Sequence, residues 1–391
     1  MRFGTVPRSD EATVGGAAAF RAFVSHRSGP FLTEAIVSRR MRIAVVFRDP
    51  PPQSDRPGAV RLRRLAAALD ERGHDVTIYC LPWWETAGRQ LEINGLDHEG
   101  VTFEHPALYY SRLPGLLARR RPDVVLAAAS PPGAVVSAWL GARLARVPLV
   151  CDWYGDEPSV PKSRWTERAA SLPTRVTTPS EHQRTRVREY GASATNTAVI
   201  PQGIDMSRIV ETGWGEHRDV VYACRLDDDS NLEDLLLALA ELRDRGDWTA
   251  TIIGDGPERA NYETQAWDLR IGDRVEFIGD AGREERIAAY RGAHTFVQTA
   301  RRTAFAEELL WALACGCVGV VEIQSDSSAH ELVERRDRGI RVTDMDSLAD
   351  AIEKSWALGF RDIDKAFQSF DHAAITGQYV DLFRRCGVDA R

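Results

Sequence analysis

The sequence predicts an α/β protein made of two doubly wound parallel sheets, and three observations carry that expectation. Buried-strand runs alternate with helical spacings along nearly the whole chain. The alternation pauses near residues 205–218 and then restarts. And 391 residues are too many for one ordinary core, so two domains of roughly 150–200 residues each are expected.

The elements follow in order. "RIAVVF", from residue 42, reads as a strand, and "AVRLRRLAAALDERG" has Leu62, Leu65, Ala66 and Leu69 at helical spacing. "HDVTIYC" is a second strand and "VTFEHP", residues 101–106, a third. "LPGLLARRR" is a helix, "PDVVLAAA" a strand, and "GAVVSAWLGARLARV" a helix. "PLVCDWYGD" is a strand running into a polar loop, and "RVTTPS" is a strand before the helix "EHQRTRVREYG". "NTAVIPQGIDMSRI" ends this half with a strand and a Pro-Gly turn. Helices between successive strands imply right-handed crossovers and parallel pairing.

The second half repeats the scheme. "DVVYACR", "WTATIIGDGPER", "RVEFIGD", "HTFVQTA" and "VGVVEI" read as strands. The intervening helices are "NLEDLLLALAELRDRG", a segment ending near Arg270, "REERIAAYRGA", and the stretch opening with "AFAEELLW". Two helices, "DSLADAIEKSWALG" and "FDHAAITGQYVDLFRRCG", form the tail. Residues 1–40 lack a basic segment followed by a clean apolar one, so they read as a disordered or overlong extension, the fold starting near Met41.

Bulk composition excludes several classes. The net charge of −7 gives no global basic field for nucleic acid. No uninterrupted apolar run reaches the ~20 residues of a membrane span. Of the 50 basic residues three are lysine (Lys162, Lys354, Lys365). The six cysteines show no C-x-x-C spacing and sit mostly at the ends of apolar runs, as small buried hydrophobes do. A cytoplasmic location is expected. A dinucleotide-binding enzyme would need G-x-G-x-x-G after its first strand. After "RIAVVF" there is one glycine, Gly58, and "IIGDGPER" has Gly254 and Gly256 without a third in register.

A resemblance spans about 41–345. "RPGAVRLRRLAAALDERGHDVTIYC" resembles the glycine loop, helix and strand that open family 4 of the GT-B glycosyltransferases (glycosyltransferase group 1), and "VIPQGIDMSRI" resembles that family's hinge. "VVYACRLDDDSNLEDLLLALAEL", "ATIIGDGPER", "RVEFIGD" and "ALACGCVGVVE" resemble its donor-binding domain, block after block. The wording "WALACGCVGVVE…SSAHELV" is similar to a haloarchaeal branch. The resemblance implies two Rossmann-like domains facing each other across a cleft. It also implies sugar transfer from a nucleotide-sugar with retention of configuration and without a metal or other cofactor. The acceptor would be a glycan, a glycolipid or a lipid-linked saccharide.

Cleavage of a nucleotide-sugar leaves negative charge on a diphosphate. Without a metal, backbone N–H groups at a helix start and a cationic side chain must meet it. "AFAEELLW" supplies the helix start: Ala304 and Ala306 flank Phe305 and let phosphates approach, and Phe305, Ala306 and Leu309 are expected to bind the donor. Arg225 is the matching cation, Gly254 and Asp255 belong to the donor site, and Gly58 would face the diphosphate from the first loop of the other domain. Two departures stand out. The family's paired acids, eight residues apart, fall on Thr303 and Trp311, and its lysine, five residues after the arginine, falls on Ser230. Glu307 and Glu308, four and three residues before Trp311, lie near the same helical face and could hold sugar or ribose hydroxyls. Complementing the helix dipole is their simpler role. Asp152 and Asp156 in "CDWYGD" stand where doubly wound folds place ligands, either lining the acceptor side or as loop residues.

Other features have plainer readings. Asp227–Asp229 with Ser230 offers a D-x-D pattern, but capping of the next helix by Asp229 or Ser230 is simpler. His330 reads as a helix-entry residue. Tyr109, Tyr110, Leu113, Leu116 and Leu117 with Arg119–Arg121 form either a packed helix or one that could lie on anionic lipid as a peripheral membrane contact. The domains would be 41–207 for the acceptor, 208–345 for the donor nucleotide, and 346–391 as helices returning to the first domain. The missing acids and lysine leave open an alternative, a non-catalytic partner in a glycosylation complex.

Overall fold

The computed structural model describes residues 40–54, 56–84, 88–155 and 163–388. The expected N-terminal extension and Asp156 lie outside the described residues. Residues from Arg40 onward form one compact unit.

The first half is built from β1 (Arg42–Val46), α1 (Pro57–Glu71), β2 (Asp75–Cys80), β3 (Gln90–Ile93), β4 (Leu96–Gly100), α2 (Leu108–Arg120) and β5 (Val124–Ala128). It continues with α3 (Pro132–Ala145), β6 (Leu149–Asp152), α4 (Arg164–Ser171), β7 (Arg175–Thr178), α5 (Glu181–Glu189), β8 (Thr197–Val199) and α6 (Met206–Glu211). Its sheet runs β3-β4-β2-β1-β5-β6-β7-β8. All pairs are parallel except β3 with β4. The strand order reverses between β1 and β5, so their C-terminal ends open a crevice.

The second half contains β9 (Arg218–Ala223), α7 (Leu232–Glu241), β10 (Ala250–Ile253), α8 (Arg259–Asp268), β11 (Val275–Gly279), α9 (Arg283–Gly292) and β12 (Ala293–Gln298). It is completed by β13 (Arg302–Thr303), α10 (Glu307–Ala314), β14 (Val318–Glu322), β15 (Asp326–Ser327), α11 (Ala329–Val333), β16 (Gly339–Val342) and α12 (Asp346–Trp356). The sheet is β11-β10-β9-β12-β14-β16, switching between β9 and β12. A 3-10 turn (Lys365–Phe370) leads into α13 (His372–Arg385).

Burial dictates these elements. The strands are nearly continuous apolar runs because helices cover both faces. Helix α13 places Ile375, Tyr379, Val380 and Phe383 in the same apolar cluster as β1 and α1 of the first half.

Two expectations need correction. The third strand is Leu96–Gly100 and not 101–106; it follows a hairpin that the strand–helix alternation gave no reason to expect. Neither Asp229 nor Ser230 caps α7: Asn231, in a left-handed conformation, precedes the helix, and Asp227 accepts the Asp229 N–H. Of the two readings of α2, the packed helix is the one seen, since Tyr109, Leu113 and Leu117 are buried against the first-half core. Among the described residues no helix is long and apolar enough to cross a membrane.

Candidate active site

The C-terminal ends of β9, β10 and β12 open onto a cavity of about 640 Å³. Arg225, Gly254, Asp255, Phe305, Ala306, Glu307, Glu308 and Leu309 all line it. Eight of the ten residues singled out from the sequence therefore converge on one space. Gly254 has φ +139°, and a Cβ there would stand 1.9 Å from the Cys224 carbonyl oxygen. A Cβ on Gly256 would stand 2.1 Å from the Leu226 carbonyl oxygen. The two loops thus touch backbone to backbone, which only glycine permits.

Arg225 lies two residues beyond β9. Its side chain is 75% exposed, and its ion pair to Asp227 is a loose 3.4 Å. Such an exposed pair contributes ~0–1 kcal/mol, so the guanidinium is available to a ligand. Opposite stands the start of α10, whose first flanking residue, Ala306, offers no capping side chain. The loop entering that helix is pinned at the Ala304 carbonyl by the hydroxyls of Ser180 (3.1 Å) and Ser328 (2.8 Å). Ser180 belongs to the first half, so both halves fix the helix mouth.

The two acids are not simple caps. Glu307 accepts from Arg64 of α1 at 3.0 Å and from the Gln202 amide at 2.7 Å. The Trp311 indole N–H approaches the same carboxylate at 3.4 Å. Glu308 accepts from Arg283 at 3.0 Å and the Tyr290 hydroxyl at 2.6 Å, with Arg286 at 3.2 Å. Burial, and then the Glu308 charge, pushes the Tyr290 phenol well above its usual range. Burial works against the charge of Arg286, yet Glu308 holds its pKa above the ordinary value. A carboxylate offers about four lone-pair sites, so each acid keeps acceptor capacity while organising its arginines. Arg286 also lines the cavity. Sequence reasoning missed Arg64, Gln202, Arg283, Arg286 and Tyr290, because their convergence needs the folded chain.

The departures from the family pattern acquire geometry. Ser230 is 0% exposed, bonded to the Asp227 carbonyl and the Tyr262 hydroxyl. Thr303 lines the cavity, while Trp311 is buried beneath Arg283, whose guanidinium sits 4.9 Å from the ring centroid. Cys224 also lines the cavity, but burial, and then the Asp227 charge, pushes its thiol up to about 11, which rules out a thiolate nucleophile near neutrality.

Two candidates fall elsewhere. Gly58 lies in the first turn of α1 and not in a loop, because Pro57 starts the helix. It lines a neighbouring cavity of about 560 Å³ at the ends of β1, β5 and β6, while Pro57 lines the first cavity and Tyr154 touches both. Asp152 also borders that neighbouring cavity, but its carboxylate is committed. It pairs with buried Arg61 at 3.0 Å and accepts from Tyr379 (2.6 Å) and Thr177 (2.7 Å). That carboxylate neutralises Arg61 and ties α13 to the first sheet, while the residue itself stands on the wall of the neighbouring cavity. Among the described residues no three His, Cys, Asp or Glu side chains come together as metal ligands. His330 sits in the first turn of α11, with its Nδ1 buried and unpartnered.

Comparison with known proteins gives the family and the fold. Residues 58–208 match the model of Glycosyltransferase Family 4, and residues 210–359 match that of Glycosyl transferases group 1. The chain belongs to the group 1 glycosyltransferases. No curated protein matches this glycosyltransferase by sequence. Among solved structures it is similar to a glycosyltransferase from Rickettsia africae, at 14% identity and a TM-score of 0.70, covering 90% of this chain and 100% of the other. It is likewise similar to Anabaena HepE in complex with UDP, at 19% identity and a TM-score of 0.67, covering 88% and 100%. A third is the lipopolysaccharide outer core galactosyltransferase WaaB in its apo form, at 13% identity and a TM-score of 0.68, covering 88% and 100%. The fold of this glycosyltransferase is GT-B.

Proposed function

We propose that the protein transfers a sugar from a nucleotide-sugar donor to a glycan, glycolipid or lipid-linked acceptor, retaining the anomeric configuration and needing no metal. The observation that carries this reading is the meeting of Arg225, the uncapped start of α10 and the Gly254–Gly256 loop around one cavity. Its volume suits a nucleotide-sugar, within the ~300–1,000 Å³ typical of ligand sites. The diphosphate would lie between Arg225 and the N–H groups of Ala306–Leu309, where the helix dipole and the guanidinium stabilise charge as the glycosidic bond breaks.

The cation lost at Ser230 is supplied by Arg286, held at the cavity wall by Glu308. Glu307 and Glu308 act mainly by organising Arg64, Arg283 and Arg286, and their remaining lone pairs orient donor hydroxyls. The acceptor would occupy the cavity lined by Arg48, Asp49, Arg56 and Gly58, which adjoins the donor cavity at Tyr154. Peripheral membrane contact at the cytoplasmic face would use exposed Leu140 and Leu144 of α3, a helix that also carries exposed Arg143.

A thermal-shift screen against UDP, GDP and their sugars tests the proposal. Stabilisation by one nucleotide, with sugar released from its conjugate, supports the enzyme. A flat response across the panel favours the alternative of a non-catalytic partner in a glycosylation complex.

A further inference from the structure

A third cavity, of about 290 Å³, lies between α1 and α13, apart from the two at the sheet ends. Arg63, Arg64, Gln202, His372 and Thr376 line it, with Glu71 also on its wall. Three features of this groove point to a ligand.

The first is Arg63, which makes no ion pair with any described residue. The second is Arg64, which donates one N–H to Glu307 and keeps its other donors. The third is Gln202. It is 3% exposed and donates its amide to Glu307, yet its carbonyl Oε1 is buried without a hydrogen-bond partner. The amide's orientation is fixed, because a carboxylate accepts only from the nitrogen. A buried acceptor left unpaired is costly, and an O–H from a ligand would satisfy it.

The groove therefore asks for an anion and a hydroxyl in one small molecule. Arg63 and Arg64 are successive residues of a helix, so their side chains leave the axis about 100° apart. A planar carboxylate can meet one guanidinium face-on, whereas the tetrahedral oxygens of a phosphate can meet two that are not coplanar. Glu71 stands seven residues from Arg64, about 10 Å along the helix. Its carboxylate repels an anion there and accepts from hydroxyls. His372 stays neutral near pH 7, since burial and then Arg64 lower its pKa, and it can exchange a hydrogen bond with either group.

We propose that the α1–α13 groove is a second ligand site, taking a small phosphorylated polyol whose phosphate binds Arg63 and Arg64 and whose hydroxyl donates to Gln202. This goes beyond the glycosyl transfer reading and does not depend on it.

Isothermal titration of the full chain with glycerol 3-phosphate, inorganic phosphate and glycerol, without any nucleotide, tests it. Glycerol 3-phosphate should bind in the submillimolar range, inorganic phosphate about tenfold more weakly, and glycerol not at all. Arg63→Glu, and more mildly Arg63→Ala, should weaken glycerol 3-phosphate by about tenfold or more, while Arg225→Ala leaves it unchanged. Absence of binding would overturn the proposal. So would equal affinity for the two phosphates, or loss on Arg225→Ala in place of Arg63→Glu, which would put the anion in the donor cavity.

Discussion

Arg64 of α1 and Glu307 of α10 meet at 3.0 Å, joining the first-half helix that follows β1 to the helix mouth of the second half. The contact is one of several across the junction. Glu331 accepts from the backbone N–H groups of Glu181 (2.8 Å) and His182 (2.7 Å), so a carboxylate of one half caps α5 of the other. The halves are thus joined by hydrogen bonds that water can replace, beside an apolar cluster in which Tyr154, Ile204 and Met206 meet the second half.

Glu331→Ala should loosen that junction. A lost cap costs ~0.5–2 kcal/mol, enough to shift a balance between closed and open forms and too little to unfold a domain. Small-angle scattering should register a larger radius of gyration for the variant at an unchanged melting temperature. An identical scattering curve would show that the cap does not hold the halves together.

Asp152→Ala should be severe. It leaves Arg61 charged and buried without its partner, and breaking a buried pair costs ~3–5 kcal/mol. Tyr379→Phe removes one neutral hydrogen bond to the same carboxylate and should cost ~0.5–1.5 kcal/mol. Urea denaturation of the two variants should rank them in that order; a mild Asp152→Ala would mean that the carboxylate does not carry the junction.

Glu322, at the end of β14, gives a pH signature. Burial, and then Asp234, pushes its pKa up to about 7, against opposing help from Gln324, Arg301 and Asn231. The folded form therefore holds a proton that the unfolded chain releases near 4.5. Stability from this group is complete below the unfolded value and is lost as pH rises to about 7. Glu322→Gln should match wild type at pH 4 and melt higher at pH 8. A constant difference across that range would rule out titration at this residue.

Arg286→Ala should weaken nucleoside diphosphate binding by about tenfold, the worth of one charge-assisted contact. If Ser230→Lys, placed where the family keeps its lysine, restores binding to that variant, the two positions share a role. Unchanged affinity in Arg286→Ala would leave the lost lysine uncompensated.

Most of the strand–helix order was legible because continuous apolar runs mark the buried strands and period-3.6 patterns mark the amphipathic helices. The hairpin of β3 and β4 was not. Its strand Leu96–Gly100 carries Asp97, His98 and Glu99, residues of low strand propensity, and Glu99 is buried by pairing with Arg120 at 2.9 Å. The signal that was present is Asn94–Gly95, both at positive φ, the dipeptide of a tight hairpin. Short motifs singled out Arg225, Gly254, Asp255 and the α10 mouth, which the fold brings to one cavity. What they could not show is which acids are already spoken for. Asp152 is engaged by Arg61, 91 positions away, and by Tyr379, 227 positions away, a long-range meeting that no local pattern encodes.

The central claim is that Arg225 and the start of α10 cradle a leaving diphosphate. Its most direct test is calorimetric titration of wild type and Arg225→Ala with the nucleoside diphosphate selected by the thermal-shift screen, alongside turnover of its sugar conjugate. Binding weakened by about 10- to 100-fold, ~1.4–2.8 kcal/mol, with a matching fall in turnover is expected. Equal affinity and equal turnover in the two proteins would contradict it.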